Sequence, residues 1–418
     1  MRILNLSDLE IAREEISRIG VDKESIEILA PKAMRLCVKL EKVKCGAANI
    51  LKQEMLSVGG DAAVARGVID GSVRESDVIL LGNLKQIETL SGKIKTQPFG
   101  LDKLSLELQR LCAEICQPPN LVWQCRNDQF DLSSRVYIMG ILNVTPDSFS
   151  DGRCFLEPEK AVAQAHKMIE EGADIIDIGG ESFRLKDGGF STRSGSEPIS
   201  LDEELQRVIP VIERLKKETK IFISIDTYKS QIAEKALEAG VEIINDISGF
   251  HFDSKMPEIV AKYKAGVALM HIKGKPKDMQ ENPQYDDLIG EIYNDLRDAI
   301  EKAKEAGISE NQIVIDLGIG FGKTVQDNLM ILKRLSEFKG LRRPILVGPS
   351  GKSFIGKISD LPMEERLEGT ASACAIAMMN GANIIRVHDV KEMKRVAEVA
   401  EAIAKLNIKN LPPLAGSR

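Results

Sequence analysis

The sequence has little of what builds a metal centre or a disulfide framework. Its seven cysteines, at positions 37, 45, 112, 116, 125, 154 and 374, form no Cys-x-x-Cys pair, and its four histidines lie far apart. Zinc sites need closely spaced thiol and imidazole ligands, and disulfide scaffolds need a regular set of cysteines in a secreted chain. We therefore expect reduced thiols that serve packing.

Long apolar runs are also missing. No stretch of the chain approaches the roughly 20 apolar residues that cross a bilayer, and the N-terminal sequence MRILNLSDLEIAREE carries acids where a secretory signal has its apolar segment. These absences predict a cytoplasmic protein that does not associate with membranes.

Positive charge is not concentrated anywhere in the chain. The formal net charge is −6 and no basic stripe interrupts either half. Proteins that bind nucleic acid present a clustered basic surface to the phosphates, so we expect no nucleic-acid partner. Small-molecule substrates are the expectation instead.

What the sequence does contain is enough apolar material for one large and one small domain. The chain has 418 residues, of which 43% are hydrophobic and 29% charged. A (β/α)₈ barrel takes about 250 residues, so a barrel and one smaller domain account for the length.

From residue 136 onward, short β-branched runs alternate with amphipathic stretches, as in βα units around a parallel sheet. Each run is almost continuously apolar, which is typical of a strand buried on both faces. Eight units, and no G-x-G-x-x-G after the first strand, predict a closed (β/α)₈ (TIM) barrel over residues 135–405, followed by a C-terminal tail at 406–418. The predicted strands are 136–144, 174–180, 221–227, 242–248, 266–272, 313–320, 344–350 and 383–389.

The first part of the chain has a different pattern. Residues 1–118 mix helix and strand signals, such as MRLCVKLEKV at 34–43, ANILKQEMLSVGG at 48–60 and SDVILLGN at 76–83, and predict a separate small α/β domain. Residues 119–134 carry a proline, the only tryptophan and several turn formers, so we place the linker there.

The predicted strands end in polar residues, and in a TIM barrel these ends face the active site. One such carboxylate could equally well cap a helix. Asp226, Asn245, Asp316 and Lys352, however, come from four strands and would meet in one mouth, where desolvation is costly without a polar ligand. Carboxylate, amide and ammonium groups together suit a flat heterocycle with donors and acceptors along its edge.

A second set of residues suits a polyanion. Asn143 opens the loop NVTPDSFSDG, Arg193 lies in STRSG, and Arg386 with His388 closes the eighth strand. Guanidinium groups bind phosphate oxygens in pairs, so this set favours a pyrophosphate, although any one of these arginines alone would be read as a surface ion pair.

Two glycine-rich pieces, GFGKT at 320–324 and SGKS at 350–353, lack the spacing of a nucleotide-binding loop. The second piece instead puts Ser353 at the start of a helix. Backbone N–H groups and the helix dipole favour a carboxylate at such a position, which would suit a benzoate.

Taken together, nine sequence blocks of the barrel resemble the dihydropteroate synthase family in order and spacing. The resemblance implies that 4-aminobenzoate displaces pyrophosphate from 6-hydroxymethyl-7,8-dihydropterin pyrophosphate, which gives 7,8-dihydropteroate in folate biosynthesis. The blocks are MGILNVTPDSFSDG (139–152), IDIGGES (176–182), STRSGSEP (191–198), SIDTYKS (224–230), INDISGF (244–250), LMHIKGKPKDMQ (269–280), IDLGIGFGKT (315–324), KSFIG (352–356) and RVHDV (386–390).

The resemblance also implies residue roles, a cofactor and an assembly. Catalysis would fall to Asp226, Asp316, Lys352 and Arg386, and the pterin would be held by Asp226, Asn245, Asp316 and Lys352. Pyrophosphate would be bound by Asn143, Arg386 and His388, with Asn143 also reaching Mg²⁺. Thr192, Phe321, Lys352 and Ser353 would shape the 4-aminobenzoate pocket. A homodimer is the expected assembly.

The chain departs from the family pattern in three places. FRLKDGGF at 183–190 is inserted before STRSG, Gly351 stands where the family has arginine, and Leu317 stands where it has proline. Two other functions stay open at this point: a barrel that passes the methyl group of methyltetrahydrofolate to a corrinoid protein, and a pterin-binding relative that has lost the condensation.

Overall fold

In a computed structural model the chain forms two compact units, Met1–Pro119 and Asn120–Arg418. The structure describes residues 1–6, 8–118, 121–145, 157–181, 199–276 and 279–404. Within these ranges, no helix combines the length and the apolar character that crossing a membrane requires.

The first unit is a small α/β domain. Its sheet is antiparallel with strand order β1-β3-β2, and an apolar core of its own packs between sheet and helices. The segments at 34–43, 48–60 and 76–83, which the sequence marked only as a mixture of helix and strand, contain β1, α3 and β3. Its elements are α1 (Leu9–Ser17), α2 (Lys23–Ala33), β1 (Arg35–Lys44), α3 (Cys45–Ser57), β2 (Asp61–Val64), α4 (Gly67–Asp70), β3 (Glu75–Asn83), α5 (Leu84–Ile94) and α6 (Leu101–Cys116).

The second unit is built on a closed barrel of eight parallel strands that follow one another in chain order. The predicted TIM barrel is therefore confirmed, and each predicted apolar run contains one of its strands. Their residues are buried almost throughout, as strands covered on both faces should be. The strands are β6 (Tyr137–Asn143), β7 (Ile175–Gly179), β8 (Phe222–Asp226), β9 (Ile243–Asp246), β10 (Gly266–Met270), β11 (Ile313–Asp316), β12 (Ile345–Val347) and β13 (Ile384–Val387).

Amphipathic helices cover the outside of this barrel. Their apolar faces join the outer faces of the strands in one core. After two of the helices the chain turns at a glycine with positive φ, Gly240 (+108°) and Gly307 (+88°), where a residue with a side chain would be strained. The helices are α7 (Glu157–Glu170), α8 (Leu201–Glu218), α9 (Ser230–Glu238), α10 (Met256–Tyr263), α11 (Leu288–Glu305), α12 (Val325–Lys333), α13 (Ser353–Ser359), α14 (Leu367–Met379) and α15 (Val390–Ala404).

The stretch predicted as a linker at 119–134 contains a β-hairpin, formed by β4 (Val122–Cys125) and β5 (Asp128–Asp131). Trp123 is fully buried among the first residues of the barrel strands, and its indole N–H donates to the Gln312 carbonyl at 2.9 Å. Gly266 lets the hairpin approach, because an added Cβ there would lie 2.5 Å from Cys125 Sγ. This stretch therefore closes the N-terminal end of the barrel rather than acting only as a connection.

Candidate functional site

The carboxyl ends of the strands bring most of the predicted residues to one mouth of the barrel. In the strand register, Asn143 lies beside Gly179, Gly179 beside Asp226, and Asp226 beside Asn245. An added Cβ at Gly179 would lie 3.7 Å from Asn143 Oδ1 and 3.8 Å from Asp226 Oδ2. The absence of a side chain at Gly179 therefore leaves a recess between these two polar groups.

Arg386 from β13 lies at the centre of this mouth. Its Nη2 donates to Asp226 Oδ2 at 2.5 Å and its Nε donates to Asp177 Oδ2 at 2.6 Å. A guanidinium has five N–H donors, so these two bonds fix its plane and leave donors for a ligand. The side chain keeps 15% of its surface exposed, and a ligand in the mouth can reach it.

Asp177 is a central member of the site that the sequence did not single out. Its side chain is fully buried in β7, where its Oδ2 also accepts a 3.1 Å bond from Asn245 Nδ2. Asp177 Oδ1 and Asn245 Oδ1 are buried and have no hydrogen-bond partner among the described residues. Buried acceptors of this kind are costly unless a donor reaches them, so they are prepared for a ligand rich in N–H groups.

The charges in this cluster do not cancel. Burial, together with the nearby carboxylates Asp177 and Glu204, raises the pKa of Asp226 to about 7, although Arg386 and Lys352 oppose the rise. Asp177 and Asp226 share the single positive charge of Arg386, so the repulsion between the two carboxylates favours the protonated form of Asp226. Its electrostatics favour a ligand that brings positive charge close to Asp226.

Asp316, Lys352 and Phe321 form the opposite side of the mouth. Asp316 is 4% exposed, and its Oδ1 accepts a 2.8 Å bond from the Gly318 N–H. Burial raises the pKa of Asp316, while this N–H and the charges of Lys352 and Arg386 oppose the rise. Lys352 Nζ lies 4.2 Å from the centre of the Phe321 ring, a cation–π contact.

Ser353 and His388 lie just after the carboxyl ends of the last two barrel strands, β12 and β13. Ser350 Oγ is 3.0 Å from His388 Nδ1, and it also accepts a bond from the His388 backbone N–H at 3.2 Å. Ser353 is the first residue of α13, as the sequence predicted, and Lys352 is the preceding N-cap, which makes no capping bond with its side chain.

Asp246, the acid beside Asn245, has a different use. Its carboxylate accepts bonds from Ser248 N, Ser248 Oγ and Phe250 N at 2.7 to 2.9 Å. These bonds hold the loop after β9, so Asp246 pins a loop and Asn245 is the member of this pair that lies in the ligand cluster.

A second buried cluster, also missed from the sequence, lies next to the mouth. Lys229 Nζ is 2.6 Å from Glu204 Oε2, 3.2 Å from Glu181 Oε2 and 3.0 Å from the Ile199 carbonyl oxygen. Thr227 Oγ1 donates to Glu204 Oε1 at 3.1 Å. Lys229 thus ties the residues on either side of segment 182–198 to the first turn of α8.

Some predictions fall outside the described residues. These are Thr192, Arg193, the insertion at 183–190 and the C-terminal tail at 406–418. Among the residues that the structure describes, no group of three or more His, Cys, Asp or Glu side chains could hold a metal ion.

Comparison with known proteins relates the barrel to pterin-binding enzymes. The family model described as "Pterin binding enzyme" matches residues 139–388. Dihydropteroate synthase of Synechocystis sp. is 47% identical over 275 residues, which cover 66% of this chain and 92% of the relative. A crystal structure of dihydropteroate synthase from Clostridium difficile in the presence of pteroic acid has a TM-score of 0.61 and 44% identity, and covers 66% of this chain and all of that one.

One further similarity extends into the first unit. A probable bifunctional folylpolyglutamate synthase/dihydropteroate synthase of Halobacterium salinarum is 36% identical over 398 residues. The match covers 95% of this chain and 46% of the relative, so the chain spans about half the length of that protein.

Proposed function

The chain belongs to the dihydropteroate synthase family of pterin-binding enzymes, and we propose that the mouth of its barrel carries out that family's condensation. The enzyme is a transferase in which the amine of 4-aminobenzoate displaces pyrophosphate from 6-hydroxymethyl-7,8-dihydropterin pyrophosphate. One observation supports this assignment best. In the mouth, Asp177 and Asp226 hold Arg386 in a buried cluster, beside two buried acceptor oxygens, Asp177 Oδ1 and Asn245 Oδ1, that have no partner among the described residues.

The pterin ring would bind against the acids and the amide. Asp316 accepts the paired N–H groups of the amino-pyrimidinone edge, and Asn245 offers a buried Oδ1 that has no partner among the described residues. Lys352 donates to the ring carbonyl. Asp226 then lies where positive charge develops on the methylene as the C–O bond breaks, and its carboxylate stabilises that charge.

The leaving group would be received by Arg386, His388 and Asn143. Arg386 is already oriented by two carboxylates, so its remaining N–H donors need no rearrangement to bind phosphate oxygens. Asn143 Oδ1 borders the recess at Gly179 and is a suitable oxygen ligand for Mg²⁺. Bound Mg²⁺ would neutralise the charge that builds up on the departing pyrophosphate.

The second substrate would bind next to Phe321, with its carboxylate at Ser353 and Lys352. An aniline nitrogen is neutral at pH 7, so it attacks without a strong general base. Its proton can leave to solvent after the C–N bond has formed. Phe321 is 7% exposed and would offer the edge of its ring to the aromatic ring of the substrate.

The experiment for this proposal follows both products. The protein is incubated with the dihydropterin pyrophosphate, 4-aminobenzoate and Mg²⁺, and pyrophosphate and dihydropteroate are measured over time, with a parallel reaction in excess EDTA. Equal amounts of the two products support the proposal. Tight binding of the pterin ester without dihydropteroate would instead identify a binding protein that has lost the condensation.

We predict an acid limb in the pH profile that belongs to Asp226. Because the pKa of Asp226 is raised to about 7, its carboxylate is protonated at lower pH and no longer stabilises the developing cation. kcat/KM for the pterin ester should fall about tenfold per pH unit below this value. The limb should vanish in Asp226→Asn, whose activity is lower throughout. An unchanged limb in this variant would assign the titration to the substrate or to another residue.

We also propose that the enzyme is a homodimer that pairs through the outer helices α12 and α14. Both helices expose apolar side chains: Leu329 and Met330 on α12, and Ile376 and Met379 on α14, each between 43% and 49% exposed. Neighbouring apolar groups of this kind on a surface mark a contact with another chain. We propose in addition that the enzyme works in the cytoplasm, where thiols such as those of its free cysteines stay reduced.

Sedimentation equilibrium tests the dimer. The double variant Ile376→Glu/Met379→Glu should sediment as a monomer, because each charge would have to be buried in the interface. Ile69→Glu, at a site that is 82% exposed on the first unit, is the control and should remain dimeric. A dimer that survives the double variant must use another surface.

A further inference from the structure

Lys323 is a buried lysine that the proposed chemistry leaves unused. It lies in the loop between β11 and α12, and only 3% of its surface is exposed. Its Nζ lies 2.9 Å from His271 Nδ1, 2.9 Å from the Phe321 carbonyl oxygen and 3.3 Å from the His271 carbonyl oxygen. An ammonium has three N–H donors, so these three acceptors can satisfy all of them.

These contacts join two neighbouring strand ends. His271 directly follows β10, which pairs with β11, and the loop of Phe321 follows β11. Gly318 in the same loop lies so close to His271 that an added Cβ would be 1.9 Å from the His271 carbonyl oxygen. Lys323 therefore lies where the two ends are pressed together, and its bonds set their relative position.

The surroundings of Lys323 act on its charge in opposite directions. Burial lowers the pKa of Lys323 to about 7, while the carboxylates of Asp316, Asp295 and Asp327 oppose the fall. The pKa of His271 lies well below its usual value, because burial and the charge of Lys323 disfavour the imidazolium. His271 is therefore neutral, and its Nδ1 can accept a bond from the ammonium.

Phe321 connects Lys323 to the ligand site. Lys323 holds the backbone of Phe321, and the Phe321 ring lies against Lys352 Nζ at 4.2 Å. We propose that Lys323 is a positioning residue for 4-aminobenzoate: by fixing the Phe321 carbonyl to the end of β10, it places the Phe321 ring where the second substrate binds. This inference rests on the proposed function, which assigns that substrate to Phe321.

The test compares Lys323→Met with Lys339→Met. Methionine keeps most of the length of the side chain but makes no N–H bond. A displacement of about 1 Å in a positioning group can lower catalytic efficiency by up to about 10²-fold. We therefore expect the KM for 4-aminobenzoate to rise roughly ten- to a hundredfold. The dissociation constant of the pterin ester should change by a clearly smaller factor, because in the proposed site this loop reaches the pterin indirectly, through the Gly318 N–H on Asp316 and the Phe321 ring on Lys352.

Lys339 is the control because it is another lysine whose pKa is lowered by desolvation, although its side chain is more exposed than that of Lys323. It packs against Gly381, at the turn that leads into β13 and away from the mouth. Lys339→Met should reduce thermal stability without a selective change in either substrate constant. The same result for Lys323→Met would overturn the proposal, because it would show a purely structural role.

A double-variant cycle separates action through Phe321 from a direct effect. In a Phe321→Leu background, Lys323→Met should add little to the KM for 4-aminobenzoate, because the ring that it positions is gone. Fully additive effects would contradict the proposal. If Lys323→Met does not fold, His271→Leu can be used instead, because it removes one of the acceptors of Lys323. This variant should raise the KM for 4-aminobenzoate by a smaller factor. An unchanged KM would overturn the proposal. A wild-type protein without condensation activity would defeat the proposed function instead.

Discussion

Arg386→Ala is expected to weaken binding of the pterin pyrophosphate ester by roughly 10²- to 10³-fold while affecting the bare pterin alcohol much less. Removing one partner of a buried charge pair costs about 2–5 kcal/mol, which is roughly a 30- to 5,000-fold loss and brackets this expectation. The ester depends on the guanidinium for its phosphate oxygens, and the alcohol has none. Titration calorimetry with both ligands measures the two losses directly.

Because the comparison is made within one variant, it does not depend on how much stability the variant loses. Arg386→Ala leaves Asp177 and Asp226 buried without their cation, so a lower melting temperature is expected too. Arg343→Ala is the control, since Arg343 is similarly buried and is paired with Glu310 at 2.7 Å outside the mouth. Equal losses for ester and alcohol in Arg386→Ala would defeat its assignment to pyrophosphate.

Asp316→Asn should show the opposite pattern and weaken the ester and the alcohol equally. A hydrogen bond to a charged group contributes about 1.5–3 kcal/mol, and the carboxylate is expected to accept two from the pterin edge. An amide can accept only one of them and presents an N–H to the other donor. The expected loss of affinity is therefore roughly 10²-fold or more for both ligands.

Asp246→Asn is the matched control for Asp316→Asn, because both acids are buried at the end of a barrel strand. The Asp246 carboxylate is occupied by the loop at 248–250, so its loss should lower stability and leave pterin affinity nearly unchanged. Wild-type affinity for the alcohol in Asp316→Asn would remove Asp316 from the pterin site.

The barrel could be predicted from the sequence because its signal is local. Strands buried on both faces have almost uninterrupted apolar runs, and each predicted run contains a strand. The predicted run 313–320 was too long, since β11 ends at Asp316 and the chain then turns through Gly318 and Gly320, both at positive φ. The hairpin at 122–131 was missed because each of its strands has only four residues.

The site was predicted in part, for a similar reason. Polar residues at strand ends stand out against apolar runs, which singled out Asp226, Asn245 and Asp316. Asp177 lies inside β7, and its ion pair with Arg386 joins residues 209 positions apart. No local sequence pattern predicts such a pair. A lone acid in a strand that is buried on both faces does, however, indicate that a partner must exist. No local pattern marks Lys323 either, because its bonds to His271 join residues 52 positions apart.

The most direct measurement is a crystal structure of this protein with a pterin and pyrophosphate. The account predicts the amino-pyrimidinone edge within hydrogen-bond distance of the Asp316 carboxylate and Asn245 Oδ1, with pyrophosphate on the outer N–H groups of Arg386. Arg386 should keep its bonds to Asp177 and Asp226 in that complex. A pterin bound elsewhere, or a pyrophosphate that does not touch Arg386, would contradict the account.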